Sequence, residues 1–98
     1  MNIEEYIPTG KDNAISRHQL VALTRLTDRD VRRFINLARR TTVIISADDG
    51  SGYYLPTEYE ELRQYYARES ARASDIYKNL RVVAALMEDM EHGRIGKL

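Results

Sequence analysis

The sequence predicts a mainly α-helical chain with one small β-hairpin: two short helices joined by a tight turn, the hairpin, and then one long C-terminal helix. Three observations carry that expectation. Ser16, Thr27 and Thr57 are each followed three positions later by Gln, Asp or Glu, the pattern in which two side chains reciprocally satisfy the free amides of a helix start. The β-branched run Val43-Ile44-Ile45 precedes the turn chemistry Asp49-Gly50-Ser51-Gly52 and a second short strand, Tyr53-Tyr54-Leu55. From Thr57 to His92 neither Pro nor Gly interrupts the chain.

Taken in order, residues 3–7 make a short helix ended by Pro8 and the loop Thr9-Gly10-Lys11-Asp12-Asn13. The box Ser16/Gln19 opens a helix that ends near Thr24, with Leu20 and Leu23 on its apolar face. Thr27 with Asp30 opens the next, which runs to about Arg40 and places Val31, Phe34, Ile35 and Ala38 at the i, i+3, i+4, i+7 spacing of a buried stripe. With so little chain between them, the two helices must cross at a large angle. Pro56 closes the hairpin, and Thr57 with Glu60 opens a helix of about 35 residues, roughly 50 Å long, with Gly93 placed for its C-cap. The expected organisation is therefore 1–56 as a small folded domain, 57–92 as the long helix and 93–98 as a tail.

Composition excludes several function classes. The 98 residues leave room for one core, and with 23 of them Leu, Ile, Val or Phe the chain should fold. Cys is absent, which removes disulfides, cysteine nucleophiles and Cys-containing zinc clusters. The acidic N-terminus is unlike a secretory signal, and the longest apolar run, Val82 to Met87, is far below the ~18 residues of a membrane helix. A cytoplasmic protein is expected. His18 and His92 stand 74 positions apart and form no acid-base pair, Asp48 and Asp49 lack a third cation ligand, and Gly50-Ser51-Gly52 is not followed by a helix as a phosphate loop would be. No enzyme, cofactor, metal or small-molecule substrate is expected.

Fifteen bases balance fifteen acids, but not evenly along the chain. Residues 16–40 hold seven Arg against Asp28 and Asp30, a local charge of +5, while 1–15, 41–56 and 57–98 are each slightly acidic. On the second helix, Arg29, Arg33, Asn36 and Arg40 recur at i, i+4, i+7, i+11 and share the face opposite the apolar stripe, with Arg32 at its edge and no acid on it. An α-helix fits the DNA major groove, where Arg reads guanine bidentately, Asn reads adenine and further Arg hold phosphates. Double-stranded DNA is accordingly the expected partner. Arg17 at the first helix start, and Arg25 and Thr27 in the turn, complete the expected contact set.

These residues resemble the winged helix-turn-helix DNA-binding family across residues 3–55. Short helix, Ala14-Ile15-Ser16 as a first edge strand, two helices and hairpin follow the family's order; Leu20, Leu26, Val31 and Phe34 match its buried positions, and Thr27 its usual cap. The run from Ile15 to Leu55 is also similar to small prophage-associated members. The resemblance implies a small transcriptional regulator or a phage-type replication or recombination accessory. Two positions depart from it. Arg25 stands where the turn usually has Gly, and so must accept positive φ or a different turn. The hairpin tip Asp48-Asp49 is acidic where many members are basic, so the second helix and the Ser16-Arg17 helix start should supply most of the contact.

Along the last helix, alternating steps of three and four from Tyr59 pick out Leu62, Tyr66, Glu69, Ala73, Ile76, Leu80, Val83, Met87 and Met90, a heptad seam with one acid in it. Flanking Tyr65, Tyr77, Ala84 and Leu86 widen the face beyond a clean two-stranded coil. A helix this long should outreach a 55-residue domain, leaving Ile76, Leu80, Val83, Met87 and Met90 for self-association as a homodimer. The competing reading is an assembly module of the same fold with no DNA role, which the acidic tip and zero net charge favour.

Overall fold

The computed structural model describes residues 1–93; the expected tail, past Gly93, lies outside the described residues. The chain is mainly helical with one two-stranded antiparallel hairpin and a long C-terminal helix. It divides into two units, Met1–Leu62 and the part from Arg63 onward.

The first unit opens with two 3-10 turns, Ile3–Tyr6 and Lys11–Asn13, followed by α1 (Arg17–Thr24), α2 (Asp28–Ala38), β1 (Ile45–Ser46) and β2 (Tyr53–Tyr54). Local chemistry sets the helix starts. Ser16 and Gln19 form the full capping box: Gln19 N donates to Ser16 Oγ at 3.0 Å and Ser16 N to Gln19 Oε1 at 2.9 Å. At Thr27 the hydroxyl accepts from Asp30 N at 3.1 Å, while the Asp30 carboxylate turns to Arg33, 3.7 Å away. Between the helices Arg25 adopts the left-handed conformation at φ 61°, its N–H donating to Val21 O, so the missing Gly is met by strain and not by a different turn.

Ile3, Ile7, Leu20, Val31, Ile35 and Ile44 are buried together, with Ile15, Val21, Leu26, Phe34, Ala38, Tyr53 and Leu55 half-buried around them. Burying each such aliphatic side chain contributes about 1.5–3 kcal/mol. Leu23, expected on the inner face of α1, is instead exposed. Thr24 explains it: the inner face turns toward Leu20, Val21 and Thr24, whose hydroxyl donates to Leu20 O at 2.7 Å and accepts from Leu26 N. A threonine that satisfies its own polar group locally can take an inward position.

α2 ends two residues earlier than its periodicity indicates, and β1 begins two residues later than Val43. One residue accounts for both. Arg39, the C-cap of α2, donates from Nε to Ile44 O at 3.0 Å and from Nη2 to Ser46 Oγ at 2.8 Å, and its guanidinium stands 5.8 Å from the centre of the Tyr53 ring. The Ile44 carbonyl is thereby satisfied outside the sheet, and pairing starts with Ile45 opposite Tyr54 and Ser46 opposite Tyr53. Ile15 joins the hairpin by a single antiparallel bridge, exchanging both backbone hydrogen bonds with Tyr53 at 2.9 and 2.8 Å, so the expected edge strand is one residue long.

α3 (Tyr59–Glu91) is continuous through the small, polar stretch 67–74, and Gly93 follows it at φ 72° as a left-handed C-cap residue. At its start Glu61, one residue past the expected Glu60, sits on the free amides. Glu61 Oε1 accepts from Thr57 N at 2.9 Å, Thr57 Oγ1 at 3.1 Å and Glu58 N at 3.0 Å. The Thr57 amide, first among these donors, holds the Glu61 carboxyl below its ordinary 4.5. A depressed carboxyl stabilises the fold above its unfolded pKa and loses that contribution as pH falls through the folded value. The Thr57 and Glu58 amide resonances should therefore titrate together with a midpoint below 4.5, and Glu61→Ala should abolish that titration.

None of the 33 residues of α3 is buried. The seam residues Ile76, Leu80, Val83, Met87 and Met90 are all exposed, as are Tyr77, Val82 and Leu86. Among the described residues no helix is long and apolar enough to cross a membrane.

Candidate nucleic-acid interface

The core fixes the rotation of α2. Val31 and Ile35 are fully buried, with Phe34 and Ala38 half-buried beside them, so the opposite side of the helix faces outward. Arg29, Arg32, Arg33, Asn36 and Arg40 all line one open groove on that side, together with Asp28 and Leu37. Arg40 reaches it from the turn after the helix, since α2 ends at Ala38.

The face is not free of acids as its spacing implied. Arg32 Nη2 meets Asp28 Oδ2 at 3.1 Å, and Arg33 Nη2 lies 3.7 Å from Asp30 Oδ1 with its guanidinium 5.2 Å from the Phe34 ring centre. The i, i+3 and i, i+4 reach of a helix brings the first-turn acids into range of these arginines. Arg17 is drawn in by the same acid, its Nε donating to Asp28 Oδ1 at 2.6 Å, which raises the Arg17 pKa. Asp28 thus joins the start of α1 to the start of α2. All of these side chains are well exposed, and exposed pairs contribute at most about 1 kcal/mol, so the guanidinium groups exchange partners at small cost. Among the described residues no acidic partner within ion-pair distance is found for Arg29 or Arg40.

Arg25 and Thr27 lie in the interhelical turn, outside the groove, and the Thr27 hydroxyl is engaged as a cap. Leu37, which the reading of charged positions passed over, lines the groove and is 45% exposed. Its position 80° around the helix from Arg29 was available from the same 100° steps. Arg39, counted in the +5 segment, is held by the hairpin. At the hairpin tip Lys11 Nζ pairs with Asp48 Oδ1 at 3.0 Å, holding the Asp48 carboxyl below its ordinary value, and Asp49 accepts from Ser51 N at 2.9 Å. The acidic tip is partly neutralised from within the unit. Among the described residues no three His, Asp or Glu side chains gather as a metal site would need. No protein-family model matches the chain, and neither a curated protein nor a solved structure matches it at a significant level.

Proposed function

We propose that the chain is a sequence-specific double-stranded DNA-binding protein of the winged helix-turn-helix kind, a small transcriptional regulator or a phage-type replication or recombination accessory, with α2 in the major groove. One observation carries this reading: Arg29, Arg33, Asn36 and Arg40 line a single open groove on the side of α2 opposite its fully buried Val31 and Ile35. A helix locked by its core presents Arg29, Arg33 and Asn36 from one side, as base readout requires, with Arg40 added from the turn that follows. Asn36 supplies the adenine-type contact and the flanking Arg the guanine and phosphate contacts. Arg17 and Arg32, both on Asp28, stand at the edge where a phosphate takes over from the carboxylate. The hairpin serves chiefly to hold the unit together, because its tip carries Asp48 and Asp49.

Titration of labelled duplex from a random pool at two salt concentrations tests this. With about four phosphates neutralised, affinity should fall on the order of a hundredfold between 50 and 200 mM salt as counterions are released. Absence of binding to any duplex at the lower salt would overturn the reading and leave the assembly module in its place.

A further inference from the structure

The exposed seam of α3 supports a conclusion independent of any nucleic acid. We propose that α3 pairs with α3 of a second copy of the chain in antiparallel orientation, about a two-fold axis lying between residues 81 and 82.

A helix of 33 residues with none buried draws little stability from its own chain, since most helical stability in proteins comes from packing an apolar face. Here that face is long: Ile76, Leu80, Val83 and Met87 are each more than half exposed, and Met90 is 38% exposed. Ala73, Ile76, Leu80, Val83, Met87 and Met90 repeat at steps of three and four, the spacing that sets one helix along another. Antiparallel pairing about the stated axis places Leu80 across from Val83, Ile76 across from Met87 and Ala73 across from Met90. The smallest side chain of the seam then meets one of the longest. On the flanks Tyr77 meets Ala84 and Asn79 meets Leu86, again large against small.

Charge changes sign at the same point. Residues 72–81 carry Arg72, Lys78 and Arg81 against Asp75, while residues 82–91 carry Glu88, Asp89 and Glu91 and no base. The antiparallel arrangement sets each basic stretch alongside the acidic stretch of the other copy, with Arg72 on the same flank as Asp89. Parallel pairing in register sets like against like in both stretches, and brings Glu69 of one copy onto Glu69 of the other within the seam. Antiparallel overlap over 73–90 leaves Glu69 outside. Arg72 is 73% exposed and only 3.8 Å from Glu69, a long pair that yields readily to a closer carboxylate. The helix also ends with no base in its last turn, so its terminal acids oppose their own helix dipole. The basic stretch of the second copy offsets that opposition.

The chain has no Cys, which makes disulfide trapping a clean test. Full-length Ala73→Cys and Met90→Cys chains are mixed and equilibrated in a glutathione redox buffer, and the wild-type chain is sedimented over a concentration series. The expected product is the mixed Ala73→Cys to Met90→Cys disulfide, with little of either self-linked product. In a parallel pair those positions would be about 25 Å apart along the axis, beyond the ~7 Å a disulfide spans between Cα atoms. A dominant Met90→Cys self-linked product, a dimer that yields no disulfide at all, or a wild-type chain that sediments as a monomer at every concentration would each overturn the proposal. Both substitutions lie on an exposed helix outside the first unit, and Leu80→Asp should convert the assembly to monomer while the first unit keeps its thermal transition.

Discussion

Gly52→Ala should unfold the first unit near physiological temperature. Gly52 has φ 135°, and a Cβ placed on it would stand 2.1 Å from Ile15 O and 2.7 Å from Ser16 N. Both are backbone atoms, so no side chain can swing aside. The only relief is to separate the hairpin from Ile15, which breaks the two hydrogen bonds between Ile15 and Tyr53 and opens the ring of half-buried residues around the core. Two lost backbone bonds at about 1 kcal/mol each, with positive-φ strain of about 1–3 kcal/mol, give a loss near 4 kcal/mol. Small domains hold only about 5–15 kcal/mol in total. A drop in Tm of upwards of about 15 °C is expected by circular dichroism. Gly50→Ala is the internal control: it also has positive φ, at 79°, but nothing lies within 4 Å of its added Cβ. It should cost only about 1–2 kcal/mol. Equal losses at the two positions would show that close approach to Ile15 is not what Gly52 is for.

That contact was invisible to pattern reading, and the contrast explains which parts of the fold were legible. Ser16 with Gln19 and Thr27 with Asp30 are interactions over three residues, so their spacing contains the geometry, and both helix starts follow from it. Arg25 stood out only through the resemblance, whose turn usually holds Gly; that left positive φ or a different turn open, and the chain takes the first. What escaped depends on partners far along the chain. Arg39 ends α2 by reaching Ile44 and Ser46, five and seven residues on, and no periodicity records that reach. Leu23 lost its inward place to Thr24, a threonine that looks polar until its hydroxyl is seen bonded to Leu20 O. The same limit applies to the candidate interface. Helical spacing located Arg29, Arg33, Asn36 and Arg40 on one side, because that side is fixed by the apolar stripe opposite. It could not show that Asp28 and Asp30 reach onto the face, because that depends on which rotamers long side chains adopt.

Replacing Arg29, Arg33 and Arg40 together by Ala should abolish measurable duplex binding while leaving the fold intact. All three are exposed, and the buried side of α2 is carried by Val31 and Ile35, so thermal unfolding should be little changed. An Arg that reads a base contributes on the order of 1–3 kcal/mol, and three such losses weaken binding by at least about 150-fold. The single variants separate the roles. A phosphate contact, once removed, lowers the steepness of the salt dependence by about one and weakens all sequences alike; a base contact leaves the steepness nearly unchanged and relaxes the preferred sequence at one position. Arg33, on the helix itself with its guanidinium 5.2 Å from the Phe34 ring centre, should behave as a base reader. Arg40, in the turn past the helix end, should behave as a phosphate contact. Arg39→Ala supplies the opposite control: its guanidinium bonds Ile44 O and Ser46 Oγ, so its loss should lower Tm and reduce binding only through the unfolded fraction. If the triple variant binds duplex as the wild type does, the groove along α2 is not the interface, whatever else the chain binds.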